Sequence, residues 1–399
     1  MGTRDTLLAR LLPQEDAPCI AHELTRMGHP TPETFLTSHA QRVVYKFLAV
    51  PYATARLFLG WWQQHGPEAW VYSTSRIEVG TCELLAGGPA ALISRLQETP
   101  EPGLQPMVAA VAAAQRLQDH GPQQFSLGEH VYDLRQRTLI MGILNVTPDS
   151  FSDGGLYLQP EQALKHAETM LAAGAELIDV GGQSSRPGAA PVPPEVEQAR
   201  VVPVIRGLVQ RYGAVVSVDT YRASVADAAL EAGAVLVNDI SAMTFDAQMA
   251  PLLARRGASV VLMHMQGTPQ TMQRAPSYRH VLDEVYRYLA ERLACAMQYG
   301  IPRQRILLDP GFGFGKTVQH NLTLLHSLQH FAALGQPLLV GTSRKSFLGH
   351  LLQRQVWDRL EGTLATVMYA ILHGATVVRV HDVAPVAQTI RLLEALGQH

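Results

Sequence analysis

The chain has 399 residues, enough for two domains or for one large domain with an appendage. Hydrophobic residues make up 47% and charged residues 17%, which supports a sizeable core and excludes intrinsic disorder. A formal net charge of −2 without a basic block argues against nucleic acid or an anionic membrane as the main partner.

The three cysteines, Cys19, Cys82 and Cys295, are far apart and form no CxxC pair, so neither a zinc site nor a disulfide framework is implied. The histidines are scattered, with no HExxH. The start of the chain lacks a basic-then-apolar leader, and the longest small-apolar run, Met107 to Ala114, is too short to span a bilayer. A cytoplasmic protein is expected.

The first third has its own texture. Gln41 to Val50 reads as a strand bounded by Pro51, and Ala53 to Gln64 as a helix ending near Gly66. Ala69 to Tyr72 and Thr81 to Leu85 look like short strands. Gly87, Gly88 and Pro89 then lead into a helix, Ala90 to Gln97, and an Ala-rich helix follows from Met107 to Gln118. The adjacent Trp61 and Trp62 read as core rather than as a binding surface. With no catalytic spacing in this stretch, residues 1–122 are expected to form a small α/β accessory domain.

From Val131 onward one pattern recurs: a helix ending at a glycine, an apolar strand, then a polar residue. The copies are AAGAELIDVGG, RYGAVVSVDT, EAGAVLVNDIS, RRGASVVLMHM, YGIPRQRILLDPG, LGQPLLVGTSRK and HGATVVRVHDV. Gly174, Gly213, Gly233, Gly257, Gly300, Gly335 and Gly374 sit where helix C-caps are expected. Near-continuous apolar runs indicate strands buried on both faces, as in parallel sheets. Glu161 to Ala173, Ser224 to Ala232 and Val281 to Tyr299 supply amphipathic crossover helices. With LIMGILN as the first strand, eight βα units predict a TIM (β/α)8 barrel over residues 123–399, close to the ~250 residues usual for that fold. The preceding GEHVYDLRQRTLI reads as a hairpin able to plug the barrel's bottom.

Chemistry in such barrels sits at the C-terminal ends of the strands. Those ends read Asn145, Asp179, Asp219, Asn238, His264, Asp309, then Ser343-Arg344-Lys345, and Arg379 with His381. Asp219, Asn238 and Asp309 suit the edge of a flat heterocycle, because a buried polar edge must be matched group for group. Lys345, Arg379 and His381 come from the last two strands, where barrels often bind phosphate, and Arg186 in the loop after the second strand adds a further cation. GFGFGKT, Gly311 to Thr317, is not a P-loop, since Pro310 stands where the first glycine is needed. His264 has no partner at metal-ligand spacing and reads as a packed or hydrogen-bonding histidine. The cations fit a glycosidase poorly, although several carboxylates are present.

MGILNVTPDSFSDGG, IDVGGQSSRPG, VSVDT, ND, MHMQGTP, DPGFGFGKT, SRKSFLG and RVHDV, in this order, closely resemble dihydropteroate synthase from about Phe125 to the C-terminus. The resemblance implies a pterin-binding type of barrel. It also implies condensation of 6-hydroxymethyl-7,8-dihydropterin diphosphate with p-aminobenzoate, giving dihydropteroate and pyrophosphate in folate synthesis. By that resemblance Asp219, Asn238, Asp309 and Lys345 hold the pterin, with Met263 and Gly341 lining its pocket and Asp179 among the substrate-binding residues. Asn145, Arg379 and His381 bind the diphosphate and its Mg²⁺, helped by Ser185 and Arg186, with Asn145 as metal contact. Phe151, Pro187, Phe314 and Ser346 form the aminobenzoate and sulfonamide region, and Asp153 helps order the closed state. Asp219, Lys345, Arg379 and His381 are the expected catalytic set. A homodimer is expected.

The residues agree with that chemistry: no Ser–His or Cys–His nucleophile is arranged, and leaving-group stabilisation with positioning needs none. The loops after the first two strands, rich in Gly, Pro and Ser, are expected to close over the site and exclude water. One departure is GGQSSRPG where the family commonly has GGESTRPG, which puts a neutral Gln183 in the second loop. The rival readings are a pterin-binding methyltransferase, which would release no pyrophosphate, and a non-catalytic barrel scaffold.

Overall fold

The computed structural model describes residues 7–12, 17–27, 29, 43–66, 69–73, 81–119, 124–134, 137–147, 159–184 and 191–396. They form two compact units, residues 1–121 with 329–335, and residues 122–328 with 336–399.

The first unit runs β1 (Leu8–Leu12), α1 (Ala17–Arg26), β2 (Val43–Pro51), α2 (Tyr52–His65), β3 (Trp70–Ser73), β4 (Thr81–Gly88), α3 (Ala90–Gln97) and α4 (Gln105–Asp119). Among the described residues the strands form an antiparallel sheet in the order β1-β2-β4-β3. Alternation along β2 divides its side chains between two cores. Tyr45 and Phe47 pack with Phe58, Trp62, Ile93 and Val111 of α2, α3 and α4, whereas Val44 packs with Ile20 and Leu24 of α1. Trp61 and Trp62 are both core residues, and the Trp62 indole donates to the Trp70 carbonyl at 3.2 Å. Neither β1 nor α1 is evident from the sequence pattern. Arg10 interrupts the apolar run of β1, yet it is buried against Glu23 at 3.2 Å, and Lys46 meets the same carboxylate at 2.8 Å.

The second unit opens with an antiparallel hairpin, β5 (Gln124–Leu127) and β6 (His130–Asp133), starting upstream of the stretch that the sequence suggests. The barrel strands are β7 (Leu139–Asn145), β8 (Leu177–Gly181), β9 (Val215–Asp219), β10 (Leu236–Asp239), β11 (Ser259–Met263), β12 (Ile306–Asp309), β13 (Leu338–Val340) and β14 (Ala375–Val380). Among the described residues they are all parallel and close into a barrel, with β14 pairing β7. Between them run α5 (Gln159–Ala172), α6 (Pro194–Tyr212), α7 (Ala223–Glu231), α8 (Met249–Arg256), α9 (Val281–Gln298), α10 (Val318–His326), α11 (Ser346–Leu352) and α12 (Leu360–Leu372), and α13 (Val383–Leu396) follows β14. The glycines that the repeat singles out all take positive φ. At the ends of α6 and α8, Gly213 and Gly257 cap in the left-handed region at φ 59° and 60°, where a Cβ is disfavoured.

The strand period of two organises the barrel interior. Leu177, Leu236, Val261, Leu307, Leu339 and Val377 form one inward apolar cluster with Leu139 and Met141. Two residues further along the same faces come Asp179, Asn238, Met263, Asp309, Gly341 and Arg379. The interior thus changes from aliphatic to polar in a single step. Asp179 lies in the middle of β8 rather than at its end, Asn238 and Arg379 are one residue short of theirs, and Lys345 lies beyond β13 at the N-terminus of α11.

The other end of the barrel is stoppered. Phe125, Leu127 and Leu134, from the hairpin and the turn after it, join that apolar cluster, and Ser259 at the start of β11 donates to the Ser126 carbonyl at 2.5 Å. Truncating the fully buried Phe125 to alanine should destabilise the fold by about 3–5 kcal/mol, as large-to-small core changes do. Urea unfolding should show this loss with an unchanged m-value, and a loss under 1 kcal/mol would mean the hairpin carries no core.

Candidate active site

The polar layer is organised around Arg379. Its Nε donates to Asp179 Oδ2 at 2.6 Å and its Nη2 to Asp219 Oδ2 at 2.9 Å. Asn238 donates to the same Asp179 oxygen at 3.0 Å. Burial opposes the Arg379 charge, but Asp179 and Asp219 outweigh it and raise its pKa. The remaining Arg379 nitrogen, Nη1, has no partner among the described residues, and neither does the buried Asp179 Oδ1. A buried orphan acceptor beside an unfilled donor marks a place for a polar ligand. Burial also raises the Asp219 pKa, against the pull of Arg379 and with the push of Asp179.

The expected separation into an anionic and a cationic side is therefore corrected: the guanidinium sits between two of the carboxylates. The basic trio changes as well. His381 lies just past β14, where its Nδ1 is 3.1 Å from Ser343 Oγ. Burial, with Arg379 and Arg344 nearby, drops its pKa to about 3, so at neutral pH it is a neutral imidazole and not a cation. Arg344 pairs with Asp382 through both Nε and Nη2. Of that trio, Lys345 remains as the second cation facing the layer among the described residues. Its Nζ lies 4.1 Å from the centre of the Phe314 ring, and burial followed by Arg379 lowers its pKa to about 8. Arg359 donates to the Arg344 and Lys345 carbonyls at 3.0 and 3.2 Å, fixing the backbone that presents Lys345 and Ser346.

Asp309 ends β12 and accepts from the Gly311 N–H at 2.7 Å, while burial pushes it up to about 6. Asn145 ends β7, half-buried, and faces β8 at Gly181, where a Cβ would lie 3.5 Å from its Oδ1. His264, just past β11, is buried with Nδ1 2.9 Å from Lys316 Nζ. Its burial, with Lys316 beside it, holds its pKa well below the usual value. GFGFGKT accordingly turns its lysine inward, to the carbonyls of His264, Gly311 and Phe314, instead of outward to a phosphate. Gln183 donates to the Tyr221 hydroxyl at 2.7 Å and accepts from Val192 N–H at 3.5 Å. Phe151, Asp153, Ser185, Arg186 and Pro187 lie outside the described residues.

Sequence reasoning missed Asp239. It is fully buried at the end of β10 and accepts from Ser241 N, Ser241 Oγ and Met243 N, at 2.8, 2.7 and 2.8 Å. These bonds hold Ala242 and Met243 at φ 51° and 62°, a left-handed pair that costs energy in residues with a Cβ. Tyr288 and Arg292 tie the same turn from α9, at 2.9 and 2.8 Å. An acidic residue directly after a strand's last inward residue is a signal that the ND dipeptide carried. Asp239→Ala should lower stability by about 3 kcal/mol, since it leaves three buried donors unsatisfied. Thermal and urea unfolding will measure it, and an unchanged midpoint would mean the turn needs no carboxylate.

A barrel mouth whose carboxylates and amide surround one arginine and one lysine defines a small-molecule enzyme of the pterin-binding class. Residues 141–381 match the family model described as pterin binding enzyme. The dihydropteroate synthase of Synechocystis sp. is 45% identical over 282 residues, covering 70% of this chain and 98% of that protein. The solved Yersinia pestis dihydropteroate synthase with a sulfonamide drug complex is 43% identical with a TM-score of 0.66, covering 69% of this chain and 100% of its own. The Xanthomonas albilineans enzyme in complex with 7,8-dihydropteroate is 39% identical, with a TM-score of 0.63 and coverage of 69% and 99%. The chain belongs to the dihydropteroate synthase family. Residues 1–121 of the first unit lie outside the matched span of residues 141–381.

Proposed function

We propose that this barrel condenses 6-hydroxymethyl-7,8-dihydropterin diphosphate with p-aminobenzoate, forming dihydropteroate and pyrophosphate. The observation that carries the reading is the polar layer built on Arg379, in a chain 45% identical to a dihydropteroate synthase. Asp179 Oδ1 and the Asp219 and Asp309 carboxylates accept from the donors on a pterin edge, and the Asn238 amide supplies the complementary polarity. Met263 and Gly341 occupy the same layer and bound the ring with apolar surface. Arg379 Nη1, the Lys345 ammonium and the neutral His381 face the diphosphate. The pterin methylene–oxygen bond breaks with its electron pair leaving on pyrophosphate. The aminobenzoate nitrogen then forms the new bond to carbon and loses a proton. Arg379 and Lys345 stabilise the charge that grows on the leaving group, and Asp219 favours the positive charge that the pterin takes up.

The Asn145 amide oxygen, half-buried at the mouth, fits Mg²⁺, which takes few protein ligands and fills its shell with substrate phosphate and water. When bound, the ion supplies further charge neutralisation on the diphosphate. Phe314 and Ser346 flank Lys345 and are assigned to the aminobenzoate side, together with Phe151 and Pro187. Ser185 and Arg186 are assigned to the diphosphate and Asp153 to loop closure. Sulfonamides, bound by the Yersinia pestis enzyme, are expected to compete on the aminobenzoate side.

The first unit is proposed to be accessory, a cytoplasmic location is part of the same reading, and a homodimer is its expected assembly. Trp357, 76% exposed, and Leu372, Leu392 and Leu396 around α12 and α13 leave apolar surface for a second copy. Among the described residues no helix is long and apolar enough to cross a membrane.

Pyrophosphate release should require both substrates, and methyl transfer without it would overturn the reading. Arg379→Ala should lower kcat/KM by at least ~100-fold per folded molecule, with the folded fraction measured alongside because Asp179 and Asp219 lose their counterion. In the wild type, kcat/KM should fall with acid as Asp219, raised to about 7, and then Asp309, raised to about 6, take up protons and stop accepting. It should also fall above about 8 as Lys345 loses its charge. Lys345→Arg keeps a cation and should move the alkaline limb upward, whereas an unmoved limb would assign that titration to another group.

A further inference from the structure

We infer that Lys316 is a positioning residue, which fixes the Phe314 wall of the aminobenzoate side and, through it, Lys345. The inference rests on the substrate reading given above. Lys316 is fully enclosed after a glycine-rich loop, and its amine meets a ring of acceptors. These are His264 Nδ1 at 2.9 Å, His264 O at 3.3 Å, Gly311 O at 2.8 Å and Phe314 O at 3.0 Å. Burial lowers the Lys316 pKa to about 7, and in its charged form it brings donors only, so that His264 then accepts at Nδ1 and carries its proton on Nε2. Such a centre gathers the backbone from 311 to 316 around one point.

The backbone preferences of the loop do not by themselves hold that shape. Gly311, Gly313 and Gly315 take φ values of 72°, 79° and 62°, so local preference does not select the path. A Cβ on Gly311 would run into the His264 carbonyl, and one on Gly313 would stand 3.1 Å from Lys345 Cδ. The glycines let the loop pass under Lys345, and hydrogen bonds must then keep it there. Outer ties exist: Gln273 donates to Gly313 O at 2.5 Å, and Tyr278 donates to Gly315 O at 2.7 Å. Only Lys316 bonds the Phe314 carbonyl among the described residues. The ring of that same residue is the surface against which the Lys345 amine rests, 4.1 Å from its centre. The coupling therefore runs from Lys316 to the Phe314 backbone, from its ring to Lys345, and from there to the ligand.

A double-mutant cycle in the full chain tests this, with pyrophosphate release as the assay. Lys316→Met removes the donors at similar volume, and Phe314→Leu removes the ring. Lys316→Met should raise the KM for p-aminobenzoate about tenfold, with a smaller change in kcat, because a displaced wall weakens binding. In the Phe314→Leu background the same change should cost less than about twofold, since neighbours acting through one another are non-additive. Additive effects, or a fall in kcat matching the folded fraction with both KM values unchanged, would reduce Lys316 to a packing residue and overturn the inference. If Lys316→Met does not fold, Tyr278→Phe removes one outer tie of the same loop. Its effect on the p-aminobenzoate KM should likewise shrink in the Phe314→Leu background, and additivity there would also overturn it. A wild type that releases no pyrophosphate would overturn the substrate reading instead.

Discussion

A guanidinium taken out of water must be met by carboxylates, and much of the barrel mouth follows from that demand. Arg379 is on β14, whereas Asp179 and Asp219 are on β8 and β9, with β7 between. The ion pairs can therefore form only when the sheet has closed on itself. Each partner is itself committed: Asp179 also holds Asn238, and Asp219 has its pKa raised by burial and by Asp179. Breaking one pair would leave a charge buried without its counterion, which makes the constellation nearly all-or-none. The site is assembled by closure of the fold, not added to a finished scaffold.

Rigid support continues outward from that centre. Asp239 braces the turn after Asn238, Arg359 braces the backbone at Lys345, and Lys316 braces the loop under Phe314. All three are charged groups, fully or partly removed from water, that bind backbone rather than ligand. Such groups keep reacting atoms in place at a fraction of an ångström, which is where positional catalysis gains or loses its advantage.

Much of this was legible in the residue pattern. Apolar runs punctuated by glycine identified every barrel strand, because a strand buried on both faces has little freedom in composition and a helix must end before it. The polar layer was visible too, since Asp179, Asn238, Asp309 and Arg379 each stand two residues after an inward aliphatic. Partnership was not visible. Nothing local in VVRVH tells Arg379 to seek Asp179, 200 residues away, so the cations looked like a separate phosphate clamp. His381 looked cationic because its type suggests a charge that only its burial removes. Lys316 and Asp239 looked incidental because their partners are main-chain atoms, which every sequence supplies equally. In the first unit, β1 hid behind Arg10, whose counterion Glu23 arrives from α1.

The aliphatic layer and the hairpin packed beneath it make the lower half of the barrel solid, so the polar layer is the floor of a shallow well. Among the described residues, traffic then has one route, past the C-terminal ends of the strands. On the proposed assignment, a ring seated at Asp179 and Asn238 lies on the floor of that well, and a second molecule at Phe314 and Ser346 rests above it. On that assignment, an occupant of the upper position bars the exit of the lower. On the proposed chemistry, the joined product must back out as one piece, and an upper ligand arriving first would lock the floor against its proper occupant.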